Sequence, residues 1–209
     1  MAAGDSGRTQ KRGRVTKERL LDATLEALFE KGYAETSLPE LCRRAGLSRG
    51  AQLHHFPTKE ALLVAAVERL MERRQAELRE SLVHQGPDEL AGAFVAHLWS
   101  IYSGPTFHAW LELAVAARTR PELRRHLVEV NERFYQDAYR TLREVFPLPE
   151  ALLDELPGLA RFVTSLMNGV AVNRILDDDD EMAEAALGWF RRALEGFLSE
   201  LAAPALEGT

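Results

Sequence analysis

A single cysteine, Cys42, among 209 residues rules out an intramolecular disulfide, so the fold must rest on its core. No stretch approaches the ~18 consecutive apolar residues of a membrane-crossing helix, and no apolar run follows the basic N-terminal residues as it would in a secretory leader. The chain is therefore expected in the cytoplasm and off the membrane. Alternating apolar and polar residues, the mark of a half-buried strand, occur nowhere, and there is no β-branched run. What remains is helical: an all-α fold of about nine helices. Composition is that of an ordinary soluble protein, 46% hydrophobic and 28% charged, with enough apolar material for a sizeable core.

Lysine is scarce too, and its placement is informative. All four lysines (Lys11, Lys17, Lys31, Lys59) fall within residues 1–60, which hold 11 Lys+Arg against 8 Asp+Glu, a net of +3. The remainder holds 15 against 24, a net of −9, and together these give the formal −6 of the chain. A negative total argues against a polyanion partner only if the charge is uniform. Counterion release depends on the charges at the interface, so a basic N-terminal segment on an acidic body remains compatible with nucleic acid.

That basic portion contains the most specific motif. Residues 37–59 read as two short helices hinged at Gly46, the pattern of a helix-turn-helix reader of DNA. Ser37 and Glu40 have capping-box spacing for the first helix, and Pro39 sits where a missing N–H costs little. Leu41, Ala45 and Leu47 form a narrow apolar face, with Cys42 as a small core residue beside it. Gly46 supplies the left-handed turn. Ser48 caps the second helix, residues 49–55, whose exposed side chains are expected to be Arg49, Gln52 and His54, all able to hydrogen-bond base edges. Pro57 ends that helix and Thr58 caps the next. The same stretch, Gly46-Leu47-Ser48-Arg49-Gly50, satisfies the G-x-S-x-G pattern of a hydrolase nucleophile, but that elbow needs a strand before the serine. A helical segment precedes Ser48 here, so no catalytic role is assigned.

These residues resemble the DNA-binding domain of the TetR (tetracycline-repressor) family of bacterial transcriptional regulators. Residues 16–32 look like its first helix, and Ala45-Gly46-Leu47-Ser48-Arg49-Gly50 with His55-Phe56-Pro57-Thr58-Lys59-Glu60-Ala61-Leu62 look like its signature. The resemblance spans residues 14–65, and the rest of the chain resembles the family in being helical. It implies a DNA-contact set of Ser37, Ser48, Arg49, Gly50, Ala51, Gln52, His54, His55 and Lys59, with His55 and Lys59 on phosphate. Leu53 departs from the pattern, since many members carry there a tyrosine that touches phosphate. Residues 1–13 are expected as a flexible arm, and Arg8, Lys11, Arg12 and the adjoining Arg14 either reach the minor groove, as in the family, or are simply solvated. The implied domains are residues 14–60 for DNA and 61–209 for effector binding and dimerisation.

In the body, helices are expected at residues 59–84, 88–102, 106–119, 121–146, about 150–176 with a kink or split at Pro157-Gly158, and after Asp177 to Asp180. Asp177 to Asp180 lack the glycine and spaced ligands of a calcium loop and fit the solvated start of the last helix; no metal or cofactor is assigned. His108 and Glu112 have the spacing of a helical i,i+4 pair. The last helix is apolar over more than one stripe, beyond what packing on one neighbour consumes. With the family's four-helix dimer bundle in view, the expected interface comprises Phe162, Leu166, Val170, Trp189, Phe190, Ala193 and Phe197. The resemblance also implies an effector cavity, for which Phe94, His97, Trp99, Tyr102, Trp110, Phe134 and Asn168 are the candidates, suited to a small, largely apolar organic molecule. The expected function is a sequence-specific transcriptional repressor that binds a DNA operator as a homodimer and is released by that effector. The alternative is a helical ligand- or protein-binding module whose reader has lost DNA.

Overall fold

A computed structural model of the chain describes residues 3–146, 148–177 and 180–202, with the backbone alone at 3–12, 87–88 and 201–202. Its helices are α1 (Ala3–Glu35), α2 (Leu38–Ala45), α3 (Arg49–His55), α4 (Lys59–Val83), α5 (Pro87–Tyr102), α6 (Pro105–Ala117), α7 (Pro121–Val145), α8 (Leu156–Asp177) and α9 (Asp180–Ala202), with a 3-10 turn at Glu150–Leu152. Among the described residues there is no strand, and the all-α fold expected from the sequence is what forms.

Proline and glycine set most of the boundaries. Pro87, Pro105 and Pro121 each open a helix, where the missing N–H and fixed φ favour the first turn. Gly46 closes α2 at φ 64, ψ 39, its N–H bonding Arg43 O at 3.2 Å while Leu47 N–H bonds Cys42 O at 2.9 Å. Ser48 Oγ accepts from Ala51 N at 3.2 Å and Thr58 Oγ1 from Ala61 N at 3.1 Å, so both expected caps are made. One is not. Ser37 makes no side-chain bond to α2, and Glu40, the other half of the expected box, is held by Lys31 Nζ at 2.7 Å and Arg44 Nη2 at 3.1 Å.

Two helices differ from expectation in extent. α1 starts at Ala3 instead of residue 16; no proline interrupts the earlier stretch, and its three glycines, Gly4, Gly7 and Gly13, do not end the helix. Of the helix expected over about 150–176, the part before Pro157-Gly158, the expected kink or split, is a 3-10 turn, and α8 starts at Leu156. The charges proposed for a mobile arm, Arg8, Lys11 and Arg12, are side chains outside the described residues, as are Asp178 and Asp179.

The chain forms two compact units, Met1–Met71 with Pro105–Asn131, and Glu72–Gly104 with Glu132–Thr209, the divisions falling inside α4 and α7. The first unit is built on Leu20, Leu21, Leu28, Leu41, Leu62, Leu63, Val67 and Leu113, each at most 4% exposed. Full burial of such a side chain contributes about 1.5–3 kcal/mol. In this core α1 packs on α2 and α6. Phe29, also on α1, is 42% exposed. The second unit packs α5, α8 and α9 together around Leu78, Leu82, Leu90, Phe94 and Phe146. No helix among the described residues is long and apolar enough to cross a membrane.

Candidate functional site

Three features carry chemistry: the short helix α3, the polar junction beside it in the first unit, and an apolar cavity in the second.

On α3, Arg49, Gly50, Leu53 and His54 are exposed, with Ser48 exposed at the N-cap and Ala51 and His55 half-buried. Arg49 and His54 thus present hydrogen-bonding groups on the open face, as expected. Gln52 does not. It is fully buried, its Nε2 donating to Phe56 O, and its exposed placement is corrected. The helix is only seven residues long and hangs on the buried Phe56, which stands four residues after Gln52 and so shares its face. That spacing was the available signal. Leu53, where the resemblance leads one to expect a tyrosine hydroxyl, offers half of an apolar side chain to solvent. Ser37 is exposed on the turn before α2. The serine of the G-x-S-x-G match lies between two helices with its oxygen occupied as a cap, which is not an elbow geometry.

The junction forms where α1 breaks. Gly32 has φ 72, ψ −178, so the backbone groups on either side leave the helical ladder and need other partners. Glu112 on α6 accepts Tyr33 N–H at 2.8 Å, Thr36 Oγ1 donates to Gly32 O at 2.7 Å, and Lys59 Nζ donates to Tyr33 O at 2.7 Å. Glu112 is therefore engaged with α1, and the helical pairing with His108 expected from spacing is not its described role. The Tyr33 ring lies between Lys59 Nζ at 4.4 Å and the Arg120 guanidinium at 4.9 Å, while its hydroxyl donates to Glu60 at 3.1 Å. Burial pulls the Lys59 ammonium below its ordinary value, and burial followed by the Glu60 carboxylate pushes the Tyr33 hydroxyl up. Lys59, expected on DNA phosphate, here donates to the backbone at the end of α1.

The cavity, of about 230 Å³, lies wholly within the second unit. Of the candidates, Phe94, Tyr102 and Phe134 line it. His97, Trp99, Trp110 and Asn168 do not: His97 Nδ1 lies 3.3 Å from Ser81 Oγ, and Trp99 is 6.0 Å from the Arg174 guanidinium. Trp110 belongs to the first unit, stacked on Phe107 at 6.3 Å, and Asn168 is half-buried on α8. Sequence reasoning missed Gln75, Leu98, Ile101, Thr141, Leu142 and Phe146, which also form the walls. Their signal was periodic: Leu98 and Ile101 follow Phe94 by four and seven residues, and Thr141 and Leu142 follow Phe134 by seven and eight. No lining side chain carries a charge. Burial pushes the Tyr102 hydroxyl far up, so it stays neutral.

Of the residues expected at a dimer interface, Phe162, Phe190, Ala193 and Phe197 line this cavity as well. Phe162 is nevertheless 63% exposed and Trp189 71%, while Leu166 and Val170 are half-buried. With Leu176 at 76% and Met182 at 66%, α8 and α9 leave a run of large apolar side chains uncovered.

Comparison with known proteins now bears on both ends of the chain. Residues 20–66 match the family model for bacterial regulatory proteins of the tetR family, and residues 104–199 match the model for the C-terminal part of BetI-type transcriptional repressors. The chain is 32% identical over 182 residues to the HTH-type transcriptional regulator CymR of Pseudomonas putida, covering 85% of this chain and 88% of that one. It is 32% identical over 162 residues to the regulator BetI of Ectopseudomonas mendocina (strain ymp), covering 75% and 80%. Among solved structures, a transcriptional regulator from Rhodococcus sp. Rha1 superposes with a TM-score of 0.64 at 25% identity, covering 85% of this chain and 94% of that chain. A TetR transcription regulator from Haloarcula marismortui ATCC 43049 shares the fold at a TM-score of 0.63 and 21% identity, covering 85% and 97%.

Proposed function

The chain belongs to the tetR family of bacterial regulatory proteins, helix-turn-helix transcriptional regulators that bind DNA, and on that footing we propose that it is a homodimeric repressor released from its operator by a small organic molecule. DNA reading falls to residues 14–60, braced by α6, and effector binding and dimerisation to residues 61–209. In this reading α3 enters the major groove with Arg49 and His54 at base edges, and Ser48 and His55 meet the backbone. Two copies join through the uncovered apolar faces of α8 and α9, setting their recognition helices about 34 Å, or one helical turn, apart on a palindromic site. The protein then acts in the cytoplasm, where its DNA is, and by binding alone.

The observation that supports release by a ligand is the apolar cavity beside α4, whose C-terminal half supplies Gln75 and Leu78 to the walls and whose N-terminal end begins at Lys59 beside the reader. A ligand that prefers one placement of α4 biases the reader by its differential affinity for the two states, and the effect is reciprocal. The test is fluorescence anisotropy of labelled DNA from upstream of the gene, with compounds first selected by thermal shift. Compounds that stabilise the protein should release the DNA. Stabilising compounds that never change DNA affinity would remove the allosteric part of this reading.

A further inference from the structure

The cavity's polar groups narrow the class of molecule it takes. Four lining residues are polar: Gln75, Tyr102, Thr141 and Thr164. Thr164 Oγ1 donates to Ala160 O at 2.7 Å and also serves the Tyr102 hydroxyl, so these two satisfy each other and the helix. Gln75 is different. Its Nε2 donates to Phe134 O at 3.1 Å, which fixes the orientation of the amide, while its Oε1 is shielded from solvent and has no hydrogen-bond partner among the described residues. An acceptor buried without a donor is costly, and only a group with an O–H or N–H removes that cost.

From this we propose that the ligand is a neutral, largely aromatic molecule carrying one hydrogen-bond donor, which Gln75 Oε1 accepts. The proposal rests on the reading of this cavity as the effector site. Neutrality follows from the walls: no carboxylate, ammonium or guanidinium lines them, so a charged ligand would leave water with no counter-charge to meet. Size follows from the volume. An apolar cavity of about 150 Å³ accommodates benzene, and about 230 Å³ leaves room for a second ring. Seven aromatic residues, among them the edge-to-face pair Phe94 and Phe146 at 5.2 Å, suit flat π-systems.

Four probes of one shape test this by calorimetric titration of the full-length protein: 2-naphthol, 2-methoxynaphthalene, 2-naphthoate and 2-naphthylmethylammonium. The readout is the ratio of naphthol to methoxynaphthalene affinity, which cancels what the shared rings contribute. Gln75→Leu should lower that ratio about five- to tenfold. Gln75→Met, which keeps the length of the side chain, should do the same and stands in if the leucine variant folds poorly. Tyr102→Phe should leave the ratio unchanged. Naphthoate and the ammonium should bind at least tenfold more weakly than naphthol. A ratio that Gln75 variants do not move, one that Tyr102→Phe does move, or tighter binding of either ion overturns the ligand class while leaving the cavity a binding site. If none of the four probes binds, the cavity reading fails, and the ligand class with it.

Discussion

The break in α1 yields a sharp quantitative test, because Gly32 and Gly46 both have positive φ and yet need glycine for different reasons. Gly46, at ψ 39, lies in the left-handed helical region, which an alanine occupies at a cost of about 1–2 kcal/mol and an asparagine at less. A Cβ there would stand 2.9 Å from Arg19 Nη2, the far end of a flexible side chain that can swing away. Gly32, at ψ −178, lies in a region essentially reserved for glycine, costing any other residue about 1–3 kcal/mol. Its added Cβ would meet the Glu112 carboxylate, with Oε2 at 3.0 Å and Cδ at 3.2 Å, and that carboxylate is not free to move because it accepts Tyr33 N–H. Displacing it gives up a hydrogen bond to a charged acceptor, worth a further ~1.5–3 kcal/mol. Gly32→Ala should therefore cost roughly 3–5 kcal/mol, on the order of 10 °C in Tm for a chain of this size, against about 1–2 kcal/mol for Gly46→Ala. The assay is urea unfolding at fixed protein concentration for the alanine and asparagine variants of both positions. Asparagine should recover most of the loss at position 46 and none at 32. Equal losses at the two glycines, or rescue by Gly32→Asn, would refute the account of the junction.

Other expectations follow from the same structure. Arg49→Ala should cost about 1–3 kcal/mol of operator affinity and relax preference at one base position, read by selection from a randomised site. Gln52→Ala should do the opposite: lower Tm through a loss of roughly 1–3 kcal/mol from the emptied, unpaired site while leaving base preference unchanged, since the side chain is buried. Trp189→Glu and Phe162→Glu should yield folded monomers by sedimentation, because both side chains are more than 60% exposed in the single chain and a charge in an apolar interface costs several kcal/mol unless paired. A native dimer in both variants would place the interface elsewhere.

How much of this was legible in the sequence depended on whether one residue or a neighbour decided the outcome. Gly46 and the prolines at 87, 105 and 121 act through their own backbone, and Ser48 and Thr58 through side chains that reach only the next turn; each stands at a helix boundary. The capping box at Ser37 does not form: its hydroxyl makes no bond to α2, and Lys31 and Arg44, from outside the box, hold the Glu40 carboxylate. The face of α3 was ambiguous over seven residues, too short for a period to fix which side chains turn inward, and so Gln52 was placed outward. Lys59 illustrates the limit from the other side: nothing local tells that its ammonium will be drawn to the carbonyl of Tyr33, 26 residues earlier in the chain. Cavity residues were the least legible. Phe94, Tyr102 and Phe134 were found as aromatics on helices, but Trp110 has the same local character and packs in the other unit, and Gln75 has no sequence signal beyond a polar residue in a mixed helix.

The most direct test of the central claim is quantitative footprinting of the native protein and Arg49→Ala on the DNA upstream of the gene, at two salt concentrations. The account predicts one protected pseudo-palindrome with half-sites about one turn apart, bound by the native dimer with a steep salt dependence and lost in Arg49→Ala at the same protein concentration. Protection that is absent, or identical in the two proteins, would contradict α3 as the element that reads DNA.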